Sequence, residues 1–157
     1  MPGDGSAGDL ASPYVTTEQE TGPRASAEPV RWAADTVTTM REGARLRLDY
    51  SAPSLYRVDR MIDDLRREDT PYAAVESVLR GFGAYAGEVI VRQTGAEWWA
   101  AGGDLWIRTA DGRLWDPIAE ARRCFAGHGS LRLLCRDATA DAPGPGSAAP
   151  VRSVIGA

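Results

Sequence analysis

Lysine and asparagine are absent from this 157-residue chain, and histidine occurs once, as His128. Without lysine there is no phosphate loop of the Gly-x-x-x-x-Gly-Lys kind, whose ammonium group must reach the phosphates. All 18 basic residues are arginine. Lysine and asparagine codons are AT-rich, so the bias fits a GC-rich genome, in which arginine fills every basic role by codon supply. One histidine and two cysteines, Cys124 and Cys135, do not supply the three or four closely spaced ligands of a zinc site. No metal and no cofactor is expected. No apolar run approaches the roughly 20 residues that span a bilayer, and no secretory apolar segment follows Met1. The expected setting is a reducing cytoplasm with both thiols free, a Cys124–Cys135 disulfide being the minor alternative. The net charge of −4 offers no positive field to nucleic acid. Nucleic acid and membrane are therefore not expected as partners.

What is present is organised around residues 70–99. Thr70 is a good helix cap, and Pro71 suits a first helical position, where its missing N–H costs nothing. Val75, Val78, Leu79, Phe82, Ala86, Val89 and Ile90 follow at gaps that place them on one helical face. A helix reaching Gln93 would be about 34 Å long at about 1.5 Å per residue. Gly81, Gly83 and Gly87 interrupt it, each costing about 1 kcal/mol against alanine. Gly83 and Gly87 share a face, which predicts that another backbone crosses closely there. The rival reading ends the helix near Gly81 and makes residues 88–92 a strand, as their β-branched run allows. The long helix is preferred.

Around it the chain reads in order. Residues 1–27 are poor in large apolar side chains and cannot offset their ordering entropy, so a disordered tail is expected. From Pro29 a helix carries Val30, Ala33, Ala34, Val37 and Met40 on one face and stops at Gly43. Leu46, Leu48 and Tyr50 alternate with polar residues, the pattern of a half-buried strand. Ser51 to Ser54 opens a helix with the stripe Leu55, Val58, Ile62 and Leu65. Asp59, Asp63 and Asp64 read as its solvated face rather than a metal cluster.

Residues 98–100, 104–108 and 113–115 form a three-stranded antiparallel meander, with a tight turn at Asp111-Gly112. Asp116-Pro117 starts a short helix with Ile118, Ala121, Cys124 and Phe125 inward. Ser130 caps a last helix with Leu131, Leu134 and Cys135 inward, a strand over 131–136 being its rival. A second disordered tail is expected over 138–157. The prolines of the folded part, Pro29, Pro53, Pro71 and Pro117, all fall at proposed helix starts, where proline is tolerated.

The segments LDYSAPSLYRVD (48–59) and GAYAGEVIVRQTGAEWW (83–99) resemble a pair of motifs in an uncharacterised bacterial protein family of actinobacterial type. The pattern is LDYS-x-x-SL-x-x-VD followed by G-x-Y-x-GEV and a tryptophan. The resemblance covers about residues 45–136 and carries no activity. It implies a fold and a domain boundary, with the helix continuing through Gly-Glu-Val.

Catalytic chemistry finds little to work with. Cys124 lies four residues before His128, but at a helix end whose negative pole disfavours a thiolate, and there is no Gly-x-Ser-x-Gly elbow. No catalytic residue is assigned. Glu88 is the most interesting polar side chain. It lies beside the buried stripe and within reach of Arg92. It could act as a base in a pocket, or hold a strand backbone or an indole N–H in place; the structural role is preferred. Trp98 and Trp99 point to opposite faces of a strand, so one of them either is exposed to a partner or packs under another element, such as a tail covering the second face of the sheet.

The expected fold is α+β. A small antiparallel sheet of about three or four strands packs against a long central helix and flanking shorter helices, in one domain over 28–137. The expected function is a non-enzymatic cytoplasmic binding or regulatory module, of the adaptor or immunity-protein kind, whose partner is another protein. The alternative is a small-ligand or enzymatic pocket around Glu88, Tyr85 and the sheet tryptophans. The candidate binding residues are Glu88, Tyr85, Arg92, Trp98, Trp99 and Trp106.

Overall fold

Proline sets where the helices begin. A computed structural model describes residues 27–140, and in it Pro29, Pro53 and Pro117 lie in the first turns of their helical segments. Pro71 stands at the cap position before its helix. The elements are α1 (Glu28–Gly43), a 3-10 turn (Ala52–Ser54) running into α2 (Leu55–Arg67), α3 (Tyr72–Thr94), β1 (Glu97–Ala101), β2 (Asp104–Arg108), β3 (Leu114–Trp115), α4 (Pro117–Phe125) and α5 (Leu131–Thr139). The three strands form one antiparallel sheet in the order β1-β2-β3. This is the expected α+β architecture. Among the described residues no helix is long and apolar enough to cross a membrane.

α3 is the spine. It runs unbroken through residues 88–92, and every residue from Gly81 to Ile90 is buried. Helix is therefore the answer for this stretch, and extended backbone is not. Burial on all sides explains the glycines. A Cβ on Gly83 would lie 2.5 Å from Ile118 Cα and 2.8 Å from the Pro117 carbonyl oxygen, so here the start of α4 does cross as backbone. At Gly81 and Gly87 the neighbours are side chains instead, the Thr36 hydroxyl and the Trp98 ring. The predicted backbone crossing holds at one glycine of the pair, and the other makes room for an indole. Thr70 gives no side-chain cap, because α3 starts two residues later behind Pro71.

Residues 45–50 correct the strand reading. They alternate in burial as expected, with Leu48 inside and Leu46 and Tyr50 half-buried, but they pair with no strand. Their backbone groups are used elsewhere. Leu46 N–H donates to the Met40 carbonyl at 3.0 Å, closing α1. The Arg47 carbonyl accepts from the Arg57 side chain at 3.2 Å. Tyr50 N–H donates to the Tyr85 hydroxyl at 2.8 Å. Arg45 (φ 52) and Tyr50 (φ 61) bracket the segment with left-handed turns that a ladder could not accommodate.

Two smaller corrections concern helix faces and ends. In α1 the buried side holds Pro29 and Ala33, with Trp32, Val37 and Met40 packed against the core, while Val30 (46% exposed) and Ala34 turn outward. α5 is a helix and not the rival strand, and it extends past the expected boundary at 137. Ala138, three residues after Cys135, is buried in its last turn. The tails expected over 1–27 and 138–157 otherwise lie outside the described residues, apart from Ala27 and Ala140 at the edges.

Candidate functional site

Of the six candidate residues, Tyr85, Glu88 and Arg92 lie along one side of α3, Trp98 on the inner face of the sheet, and Trp99 and Trp106 on its outer face. On α3, Tyr85, Glu88 and Arg92 follow at three and four residues and so share a side of the helix. Tyr85 is fully buried, yet its hydroxyl has two partners. It accepts from Tyr50 N–H at 2.8 Å and lies 2.6 Å from Ser54 Oγ. Ser54 has a single hydroxyl proton and donates it to the Ser51 carbonyl at 2.6 Å. The phenol is therefore the donor in the Tyr85–Ser54 bond. Burial, the first cause, pushes both Tyr50 and Tyr85 above the ordinary tyrosine range. Both phenols stay protonated at neutral pH, as that donor role requires.

Tyr50 holds a left-handed backbone conformation that costs a bulky residue about 1–3 kcal/mol. Three contacts hold it there. One is the N–H bond to Tyr85. Another is the tilted stack on the Tyr85 ring, 5.1 Å between centroids. The third is the Arg92 guanidinium, 3.5 Å over the Tyr50 ring. Arg92 thus takes the aromatic face rather than Glu88, and no ion pair joins the two among the described residues. Glu88, 6% exposed, turns inward. Its Oε2 accepts from Trp98 Nε1 at 3.0 Å. The indole lies in the gap left by Gly87. The sequence Gly87-Glu88 is therefore one device, in which the glycine makes room for the ring and the carboxylate captures its N–H. It seats β1 on α3.

A consequence can be measured. Trp98→Phe leaves the Glu88 carboxylate in the core without its donor and should cost about 2–3 kcal/mol. Glu88→Gln keeps an acceptor for the indole and should cost less than about 1 kcal/mol. Urea unfolding of both variants checks the order; equal losses would mean that carboxylate charge, and not this bond, is what the core requires.

Two of the six, Trp99 and Trp106, face away from α3. Directly opposed residues on antiparallel strands share a face. Trp98, Ile107 and Trp115 form the inner face, and Trp99 with Trp106, Glu97 with Arg108, and Leu114 form the outer one. Trp99 and Trp106 are half-buried, Leu114 is 53% exposed, and the Arg108 guanidinium lies 5.3 Å over the Trp99 ring. The expectation that the adjacent tryptophans divide between core and exterior holds, with Trp98 inside. The candidates thus form two groups on opposite sides of the sheet. Trp115 joins the inner group and donates through Nε1 to Thr109 Oγ1 at 3.1 Å.

The cysteines are free thiols, both buried. Burial first, and the nearby Asp59 charge second, push Cys124 up to about 12; burial pushes Cys135 up to about 11. At neutral pH both are protonated, and His128 is exposed beyond the end of α4. Among the described residues no three His, Cys, Asp or Glu side chains come together as metal ligands.

Asp59 corrects the solvated-face reading. It is half-buried, not solvated. From α2 its carboxylate accepts from Ser130 Oγ at 2.6 Å, Leu131 N–H at 2.8 Å and Arg132 N–H at 3.2 Å, closing the N-terminus of α5. The signal was its register. It stands four residues after Leu55 and three before Ile62, on the buried stripe itself.

Comparison with protein-family models, with curated proteins and with solved structures gives no match to this chain. An apolar groove of about 460 Å³ lies where α1, α2 and the first turns of α3 meet, with Phe82 and Val75 among its buried lining and Met40 and Met61 on its sides. Met40 and Val78 also line an adjoining depression of about 260 Å³ between α1 and α3.

Proposed function

We propose that this chain is a non-enzymatic cytoplasmic binding module, of the adaptor or immunity-protein kind, that docks another protein on the outer face of its sheet. The observation that carries the reading is the cross-strand pair Trp99–Trp106, flanked by exposed Leu114 and by Arg108. Tryptophan and arginine are the residues that most often dominate binding energy at protein interfaces. A sheet face bearing two half-buried indoles loses apolar surface to a partner at little entropic cost, because the rings are already held by strand pairing. Tyr85 and Glu88, the centre of the pocket reading, already have their hydrogen bonds taken up inside the core.

We further propose kinship with the uncharacterised bacterial proteins that share the two motifs. Support comes from where the motif residues meet. Tyr50 and Ser54 of the first segment bond Tyr85 of the second, and Glu88 bonds Trp98 within the second. The Tyr50–Tyr85–Ser54 cluster joins the first motif to the second, which gives a physical reason for them to occur together.

The test is affinity capture from the lysate of cells that express the chain, with wild type, Leu114→Asp and Trp106→Ala as baits and Tyr56→Ala as the control for an exposed aromatic elsewhere. A partner held by wild type and Tyr56→Ala should weaken at least about thirtyfold, equivalent to about 2 kcal/mol, with the two sheet variants. A partner that ignores Leu114→Asp and Trp106→Ala would remove the sheet face from the proposal.

A further inference from the structure

The groove between α1, α2 and α3 is a second surface, on other elements than the outer sheet face, and its charge says what it takes. Its lining is apolar apart from Thr70 and two charged side chains, Asp64 and Glu68. Both are exposed, four residues apart at the end of α2. Like charges at that spacing repel, and the C-terminal end of a helix already carries negative potential. Asp63 beside them is neutralised by Arg66 and Arg67. Asp64 and Glu68 have no ion pair among the described residues. The fold thus keeps two carboxylates without an ion pair among the described residues, one helical turn apart, on the rim of this apolar groove.

We propose that this groove binds an amphipathic helix of a partner protein whose apolar stripe is flanked by basic residues. Three features select that occupant. The groove continues past Met40 and Val78 into the depression along α1 and α3, so it is elongated, as a helix requires. Two of its side chains are methionines, whose unbranched thioethers adapt to varied apolar partners. The rim carboxylates sit one turn apart, matching Lys or Arg at i and i+4 on a helix laid alongside. This is the helix-in-groove mode, with aliphatic anchors at i, i+3 and i+4 filling the apolar floor. The proposal is independent of the sheet-face reading and survives its failure.

The probe is a fluorescein-labelled amphipathic helical peptide with a leucine stripe and arginines at i and i+4 on one flank. A second peptide carries glutamates at the two flanking positions. Both are titrated against the full chain and against Asp64→Arg/Glu68→Arg, whose substitutions are on exposed positions and leave the core untouched. The arginine peptide should bind wild type and lose about tenfold on the charge-reversed chain, while the glutamate peptide should gain on that chain. Amide chemical-shift changes should centre on Met40, Met61, Leu65 and Val78. The proposal is overturned if neither peptide binds, if both bind the two chains equally, or if the shifts fall on the sheet. Concentration-dependent self-association through the same residues without peptide would make a second copy the occupant, and would equally overturn it.

Discussion

Asp59→Ala should lower the unfolding free energy by about 3 kcal/mol, because it strips the N-terminus of α5 of its charged acceptor. A helix begins with four N–H groups that have no partner within it. In α5 three of the first are provided for. Ser130 Oγ accepts from Leu133 N–H at 3.2 Å, and Asp59 accepts from those of Leu131 and Arg132. Asp59 also fixes the Ser130 hydroxyl, so one carboxylate orders the cap as well as the amides. Bonds to a charged acceptor are worth about 1.5–3 kcal/mol each. They are not additive, and Asp59 is half-buried, so water recovers part of the loss. α5 has nine residues and cannot persist without its docking. Asp59→Asn, which keeps one acceptor, should lose about half as much. Urea unfolding followed by tryptophan fluorescence decides it. A loss below about 1 kcal/mol for the alanine variant would mean that water replaces the carboxylate.

The second large effect belongs to Gly83. Gly83→Ala should destabilise the fold by about 2 kcal/mol, although alanine favours helix over glycine by about 1 kcal/mol. The added carbon would meet Ile118 Cα, Pro117 O and Ile118 N, all backbone, at 2.5, 2.8 and 2.9 Å. That backbone cannot retreat easily. It is the first turn of α4, held by the Asp116 carboxylate accepting from Ala119 N–H at 2.9 Å. Gly43→Ala is the contrast. It is the last residue of α1, with nothing within 4 Å of an added Cβ. There the same substitution should stabilise by up to about 1 kcal/mol. Denaturant midpoints for the two variants should move in opposite directions. Movement of both in the stabilising direction would show that α4 yields at Gly83.

Much of the frame was legible in the chain. Proline marked the helix entrances because its fixed φ and missing N–H are tolerated only there. Asp111-Gly112 marked a turn, and Gly112 does have φ of 83. The apolar stripes of α2 and α3 gave the core. Of the candidate site, the role of Glu88 as the holder of an indole N–H was among the readings available from sequence, and so was the division between Trp98 and Trp99.

Tertiary structure decided the rest. The alternation over 45–50 is real, but it reports only which side chains are wet and which dry. Whether extended residues become a strand depends on a neighbouring edge with free N–H and C=O groups, and here Tyr85, Met40 and Arg57 took those bonds first. Asp59 looked like one more solvated acid, since the helix end it serves lies about 70 residues away in sequence. Periodicity is a property of one element, and the sequence alone determined it. The choice of partner across the core belongs to pairs of elements, and only their packing determined that Gly83 admits a backbone, Gly87 an indole and Asp59 a helix.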